Sequence, residues 1–136
     1  MRNLDKSLGD GGMPLLAGLG LSFERYGEGW AEAVWTPTEL ACNPLGPVHG
    51  GVFGVVHDAA MNFATNSALE SGDRASTLEV SYHIVRGAQA GQPLRVRGAV
   101  LRATRQVAYV EASVTDDDGE LVSRATATFL LRRTSA

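Results

Sequence analysis

Residues 43–66 read NPLGPVHGGVFGVVHDAAMNFATN, and the change of character at His49 decides the fold. Up to that point Pro44, Gly46 and Pro47 break the chain, as in a loop. From about Val48 to Leu69 no proline occurs, and Val52, Phe53, Val55, Val56, Ala59, Ala60, Met61, Phe63 and Ala64 cover nearly the whole circumference of a helix. A helix that is apolar on most sides has to be enclosed, so this one is central. A single polar stripe interrupts it: Asp58, Asn62, Thr65 and Asn66, at i, i+4, i+7 and i+8, share one face.

Outward from this helix the chain reads as strands. LSFERY and WAEAVWTP, separated by Gly27, Glu28 and Gly29, form a first hairpin. Beyond Ser71, Gly72 and Asp73, four long strands are expected at roughly 75–86, 93–103, 106–116 and 120–132. They are punctuated by Gly87, Gly91 and Pro93, by Thr104 and Arg105, and by Asp118-Gly119. Within the second, Leu94, Val96, Gly98 and Val100 alternate with Arg95, Arg97, Ala99 and Leu101, which gives one covered and one wetter face. Consecutive hairpins imply antiparallel pairing. A short helix is expected from Met13, with Pro14 in its first turn and Gly18 or Gly20 at its end. The polar, glycine-rich residues 1–12 read as a flexible tail, and residues 13–136 as one domain. One helix covers five or six long strands only if the sheet wraps around it, so the expected fold is α+β, a curved antiparallel sheet around a central helix. The apolar surface left over in so short a chain predicts a homo-oligomer, a dimer or a dimer of dimers.

Composition narrows the function. With 12 basic and 15 acidic residues the net charge is −3, without the concentrated Lys and Arg that nucleic acid demands. The lone Cys42 allows no intramolecular disulfide, and one thiol with three scattered histidines makes no structural zinc site. No apolar leader and no run of about 18 apolar residues is present, which predicts a cytoplasmic protein without membrane partners. Sixteen glycines in 136 residues is an excess without a repeat, so their positions carry the information.

The densest cluster of chemistry is Asn43, His49, Gly50 and Gly51, leading into the helix that holds Asp58. In element order and in the pattern N-x5-HGG-x6-D, residues 13–132 resemble the hotdog-fold acyl-CoA thioesterases of the phenylacetic-acid-degradation type. The resemblance implies an active site from Asn43, His49, Gly50, Gly51 and Asp58. It adds a Ser or Thr early in the next strand, here Thr77, with Ser76 as the alternative one residue away. It also implies composite sites built from paired subunits, and no cofactor beyond the coenzyme A of the substrate itself. Gly87 departs from the family pattern, which often has proline after the Arg. His57 departs too, standing where relatives carry a small or apolar residue, and its spacing from Phe53 and Met61 marks it as a packing or interface histidine.

The same residues make sense physically. Thioester hydrolysis builds negative charge on the carbonyl oxygen, and the first N–H groups of a helix, unpaired within it, are natural donors to that charge. Gly50 and Gly51, lacking Cβ, allow close approach there. Asp58 is the one acid inside the apolar helix and can serve as nucleophile or as general base on water. His49 and Asp58 are nine residues apart, about 13 Å along a helix and on opposite faces, so both cannot reach one carbonyl. If Gly50 and Asp58 act together, they come from different subunits. Asn43 and Thr77 then orient water or carboxylate, and His49 holds the loop or the carbonyl. The phosphates of coenzyme A call for cations, for which Arg86, Arg102, Arg105, Arg132 and Arg133 are candidates. Two other readings use the same fold: a hydratase or dehydratase with His49 as base, and a non-catalytic acyl-CoA-binding protein.

Overall fold

The computed structural model describes residues 1–134; residues 135 and 136, the end of the expected domain, lie outside the described residues. A short helix α1 (Pro14–Leu19) leads into the hairpin of β1 (Leu21–Gly27) and β2 (Trp30–Trp35). The long helix α2 (Gly50–Ser67) follows, then β3 (Arg74–Ile84), β4 (Leu94–Ala103), β5 (Val107–Asp116) and β6 (Leu121–Arg132). All six strands form one antiparallel sheet in the order β1-β2-β4-β5-β6-β3, curved around α2. This is the hotdog arrangement.

Local chemistry places each element. Pro14 stands at the start of α1, where its missing N–H costs nothing, and Gly20 ends it with φ +93°. A Cβ on Gly20 would fall 1.9 Å from the Thr36 carbonyl oxygen, so only glycine allows α1 to turn straight into β1. Helix α2 begins at Gly50 rather than Val48, because Val48 is held extended by its N–H bond to the Ala88 carbonyl at 2.9 Å. Its inner face meets the sheet through Phe53, Val56, Ala60, Phe63 and Ala64, all buried. Trp35 packs edge-on against Phe53 at 5.2 Å between ring centroids, and Phe23 stacks on Phe63 at 4.4 Å. The Trp35 indole N–H donates to the Leu19 carbonyl at 3.0 Å, so this large buried ring leaves no polar atom unpaired.

The alternation read in the later strands is present: Leu94 and Val96 of β4, Val110, Ala112 and Val114 of β5, and Ala125, Ala127 and Phe129 of β6 are buried. The outward residues form a cross-strand charged row, Arg25, Glu32, Arg97, Ser113 and Arg124, in register. One expectation needs correction, since β3 and β4 do not form a hairpin. Residues 85–93 instead cross the end of the sheet, tied to the 43–49 loop by the Val48–Ala88 bond, and β3 pairs with β6 at the far edge. The other flank of β3 is unpaired among the described residues. The N-terminal twelve residues also differ from the flexible tail expected. They lie against the domain, and Gly9 and Phe23 exchange backbone hydrogen bonds at 2.9 and 2.6 Å along the β1 edge.

Candidate active site

Asp58 sits in the middle of α2, half-buried, and its Oδ1 accepts a hydrogen bond from the Thr77 hydroxyl at 2.7 Å. The register of β3 explains why Thr77 makes this bond. A bulge between Thr77 and Glu79 inserts Leu78 as an unpaired extra residue, so Ala75 and Thr77 face the helix before it and Val80 and Tyr82 face the helix after it. Ser76, the alternative, therefore belongs to the opposite face of the strand. Oδ1 is held by Thr77, and Asp58 lines a cavity of about 380 Å³. That cavity is lined by Val55, Asp58, Ala59, Asn62, Phe63 and Asn66 of α2, by Phe23 and Leu16, and by Leu4, Ser7, Gly11 and Met13.

The polar stripe of α2 divides accordingly. Asp58, Asn62 and Asn66 border the cavity, whereas Thr65 is buried and its hydroxyl donates back to the Met61 carbonyl at 2.8 Å.

At the other end of α2, His49 is the residue before the first helical turn, with extended backbone (φ −64°, ψ 133°) and an exposed side chain. Its backbone N–H donates to the Ala41 carbonyl at 2.8 Å, which fixes the loop, while its ring lies over Gly51, 3.4 Å from where a Cβ would stand. Gly50 and Gly51 open the helix, and their N–H groups precede the intrahelical ladder. The Tyr82 hydroxyl donates to the Gly50 carbonyl at 3.1 Å, tying this end of α2 to β3. The Asn43 side-chain oxygen accepts the Leu45 N–H at 2.8 Å and its backbone N–H meets the Pro47 carbonyl at 2.8 Å, so it shapes the loop before His49. None of Asn43, His49, Gly50 and Gly51 lines the cavity at Asp58. Within one chain the predicted set thus falls into two halves: Asp58 with Thr77, and Asn43 with His49, Gly50 and Gly51, about 12 Å away along the helix.

The sequence profile of the thioesterase superfamily matches residues 45–123, which include His49, Gly50, Gly51, Asp58 and Thr77. The chain belongs to the thioesterase superfamily. A phenylacetic acid degradation-related protein from Ralstonia eutropha JMP134 is 35% identical, with 87% of this chain and 90% of that one covered and a TM-score of 0.78. Two more distant structures share the fold. Thioesterase HI1161 from Haemophilus influenzae is 18% identical over 100% of this chain and 94% of its own, at TM-score 0.87. The protein smu.793 from Streptococcus mutans UA159, bound to acetyl-CoA, is 21% identical over 85% and 91%, at TM-score 0.77.

Other candidate residues of this thioesterase-superfamily chain have different employment. Arg86 is ion-paired with Asp116, whose carboxyl is held below its ordinary pKa chiefly by the Glu120 backbone N–H, with Arg86 adding to the effect. Arg133 donates to the carbonyls of Arg105 and Thr104 at 3.0 and 2.9 Å, closing the β4–β5 turn. His57 is the packing histidine expected: it is fully buried, with Nε2 2.8 Å from the Ser123 hydroxyl. Among the described residues no three His, Cys, Asp or Glu side chains converge as metal ligands, and no helix is long and apolar enough to cross a membrane. Sequence reasoning missed the share of residues 1–13 in the cavity. The only signals were single apolar residues, Leu4 and Met13, in a segment whose composition reads as solvent-exposed.

Proposed function

We propose that the protein hydrolyses acyl-CoA thioesters to the free acid and coenzyme A, in sites assembled from two copies of the chain. The observation that carries the reading is the Asp58–Thr77 pair: the one acid of α2, anchored through Oδ1 by the Thr77 hydroxyl and lining a cavity. Burying even part of a carboxylate among apolar side chains costs free energy unless a partner or a task compensates, and Thr77 satisfies only one oxygen. The free oxygen attacks the thioester carbonyl, or takes a proton from a water that does so. On the first route the Asp58 oxygen forms a C–O bond to the acyl carbon as the C–S bond breaks, and a water then hydrolyses the resulting mixed anhydride to the free acid and restores the carboxylate. On the second the water oxygen forms the C–O bond directly as the C–S bond breaks. In both the coenzyme A thiolate leaves and takes up a proton that the water supplies.

The negative charge that develops on the carbonyl oxygen needs donors already in place. In this reading they are the Gly50 N–H and the positive end of α2 from the second copy, with Asn43 and His49 of that copy shaping the approach and Gly51 leaving it open. Two features support assembly. The free flank of β3 is an 11-residue edge with exposed Leu78 and Ile84, a template for pairing with another strand, and α2 keeps the two halves of the site too far apart to meet in one chain. The superfamily membership and the acetyl-CoA bound by the S. mutans relative agree with an acyl-CoA substrate.

The test is thiol release from a panel of acyl- and aryl-CoA esters. Asp58→Asn keeps the shape and the bond from Thr77 while removing the charge, and kcat is expected to fall by about 10²–10³-fold. A folded Asp58→Asn protein that turns over at the wild-type rate refutes the reading.

A further inference from the structure

The segment expected to be a tail is fastened at three points. Arg2 reaches the C-terminal end of α2, donating to Asn66 Oδ1 at 2.9 Å, to the Asp73 carbonyl at 2.6 Å and to the Glu70 carbonyl. The Tyr26 hydroxyl accepts the Leu4 N–H at 2.7 Å and donates to Asp5 Oδ1 at 2.6 Å. The Gly9–Phe23 pair closes the third. Between these fastenings, Leu4, Ser7 and Gly11 line one side of the cavity whose opposite side carries Asp58.

We propose that residues 1–12 are the outer wall of the acyl pocket and restrict it to compact, uncharged acyl groups; this rests on the thioesterase reading of Asp58. Size is the first argument. About 380 Å³ lies at the lower end of the roughly 300–1,000 Å³ of small-molecule sites, so the pocket takes a short chain or a single ring while the coenzyme A stays outside. Charge is the second. Among the described residues Asp58 is the only charged side chain in the lining, and the nearby Arg2 guanidinium is engaged by Asn66 and the Glu70 and Asp73 carbonyls, so an acyl group ending in a carboxylate meets a like charge. The stacked Phe23 and Phe63 rings give the pocket a flat apolar wall. Arg2 and Tyr26 are not themselves in the lining; they hold it through Asn66 and Leu4, which are.

The experiment measures kcat/KM for acetyl-, butanoyl-, hexanoyl-, decanoyl- and succinyl-CoA with the full-length protein. The wild type is expected to favour four to six carbons and to discriminate against decanoyl- and succinyl-CoA by about tenfold or more. Loosening the wall with Arg2→Ala and Tyr26→Phe together is expected to raise the decanoyl-to-butanoyl ratio by about tenfold, mainly through KM. Filling the pocket with Ser7→Phe is expected to cut hexanoyl turnover far more than acetyl turnover. An acyl-length profile unchanged in both variants, or a uniform fall at every length, overturns the proposal. If the wild type releases no thiol from any ester, the hydrolase reading fails separately. The length profile is then read from binding of non-hydrolysable acyl-CoA thioethers, and the same shifts or their absence decide the role of the wall.

Discussion

His57 and Asp58 are neighbours on α2 with opposite tasks, and the difference lies in their partners. The Ser123 hydroxyl donates its one proton to the His83 carbonyl at 2.6 Å, so it must accept from His57 Nε2. His57 is therefore neutral with its proton on Nε2, and Nδ1 is buried without a partner. Burial pushes its pKa down from 6.5 to about 4. Because the unfolded chain takes up a proton that the folded chain refuses, the contribution of His57 is intact above pH 6.5. It is lost as the pH falls through that window to about 4, for a total of about 3 kcal/mol. Denaturant titrations at pH 7 and pH 4.5 are expected to show this loss, and His57→Met, with similar bulk and no titrating group, is expected to flatten the dependence. An equal pH dependence in the variant would place the acid sensitivity elsewhere.

Several residue-scale readings were open to sequence and others were not. The spacing of Asn43, His49, Gly50, Gly51 and Asp58 pointed to the loop, the helix start and the mid-helix acid, and the structure places them there. From sequence, Thr77 is preferred to Ser76 on the family resemblance alone, because the facing of a strand residue depends on a bulge at Leu78 that alternation does not announce. The ion pair of Arg86 with Asp116 was equally hidden: it joins residues 30 positions apart, and no local pattern encodes such a meeting.

At the scale of elements, the enclosure of α2 depends on how closely its backbone approaches the sheet. Gly98 of β4 lies under Ala60, and a Cβ there would stand 2.5 Å from the Ala60 carbonyl oxygen and 3.2 Å from the Met61 N. Both obstacles are main chain and cannot swing aside. Gly98→Ala is expected to push α2 off β4 and to destabilise the fold by about 2 kcal/mol, read as a lower denaturation midpoint. Because α2 carries Asp58, activity should fall with it. A variant as stable as wild type would mean that helix and sheet have room to spare. The central helix and the alternating strands were legible because their periodicities are long and regular. The β3–β4 crossover was not, since a loop of glycine and proline looks alike whether it turns a hairpin or crosses the end of a sheet. The N-terminal wall escaped for a related reason. Its fastening uses Arg2 and backbone carbonyls, which leave no apolar pattern.

At the scale of the whole molecule, the chain is a hotdog layer that holds the two halves of the proposed site at separate places along one helix. The most direct test of the proposed pairing is complementation between two inactive variants. Asp58→Asn removes the attacking group. Gly50→Pro removes the donor N–H at the first position of α2, where proline is tolerated, and the extended backbone of His49 suits a following proline. A Cβ at Gly50 meets only Ile84 Cδ1 at 3.5 Å, so the fold should persist. Each variant alone is expected to be nearly inactive. Refolded together at equal amounts, half the pairs are mixed, and each mixed pair holds one site with both Asp58 and the Gly50 N–H intact and one with neither. Recovery of about a quarter of wild-type thiol release is therefore predicted for a two-fold dimer. A mixture no more active than its parts would contradict the account, since Asp58 and Gly50 would then have to act within one chain or not together at all.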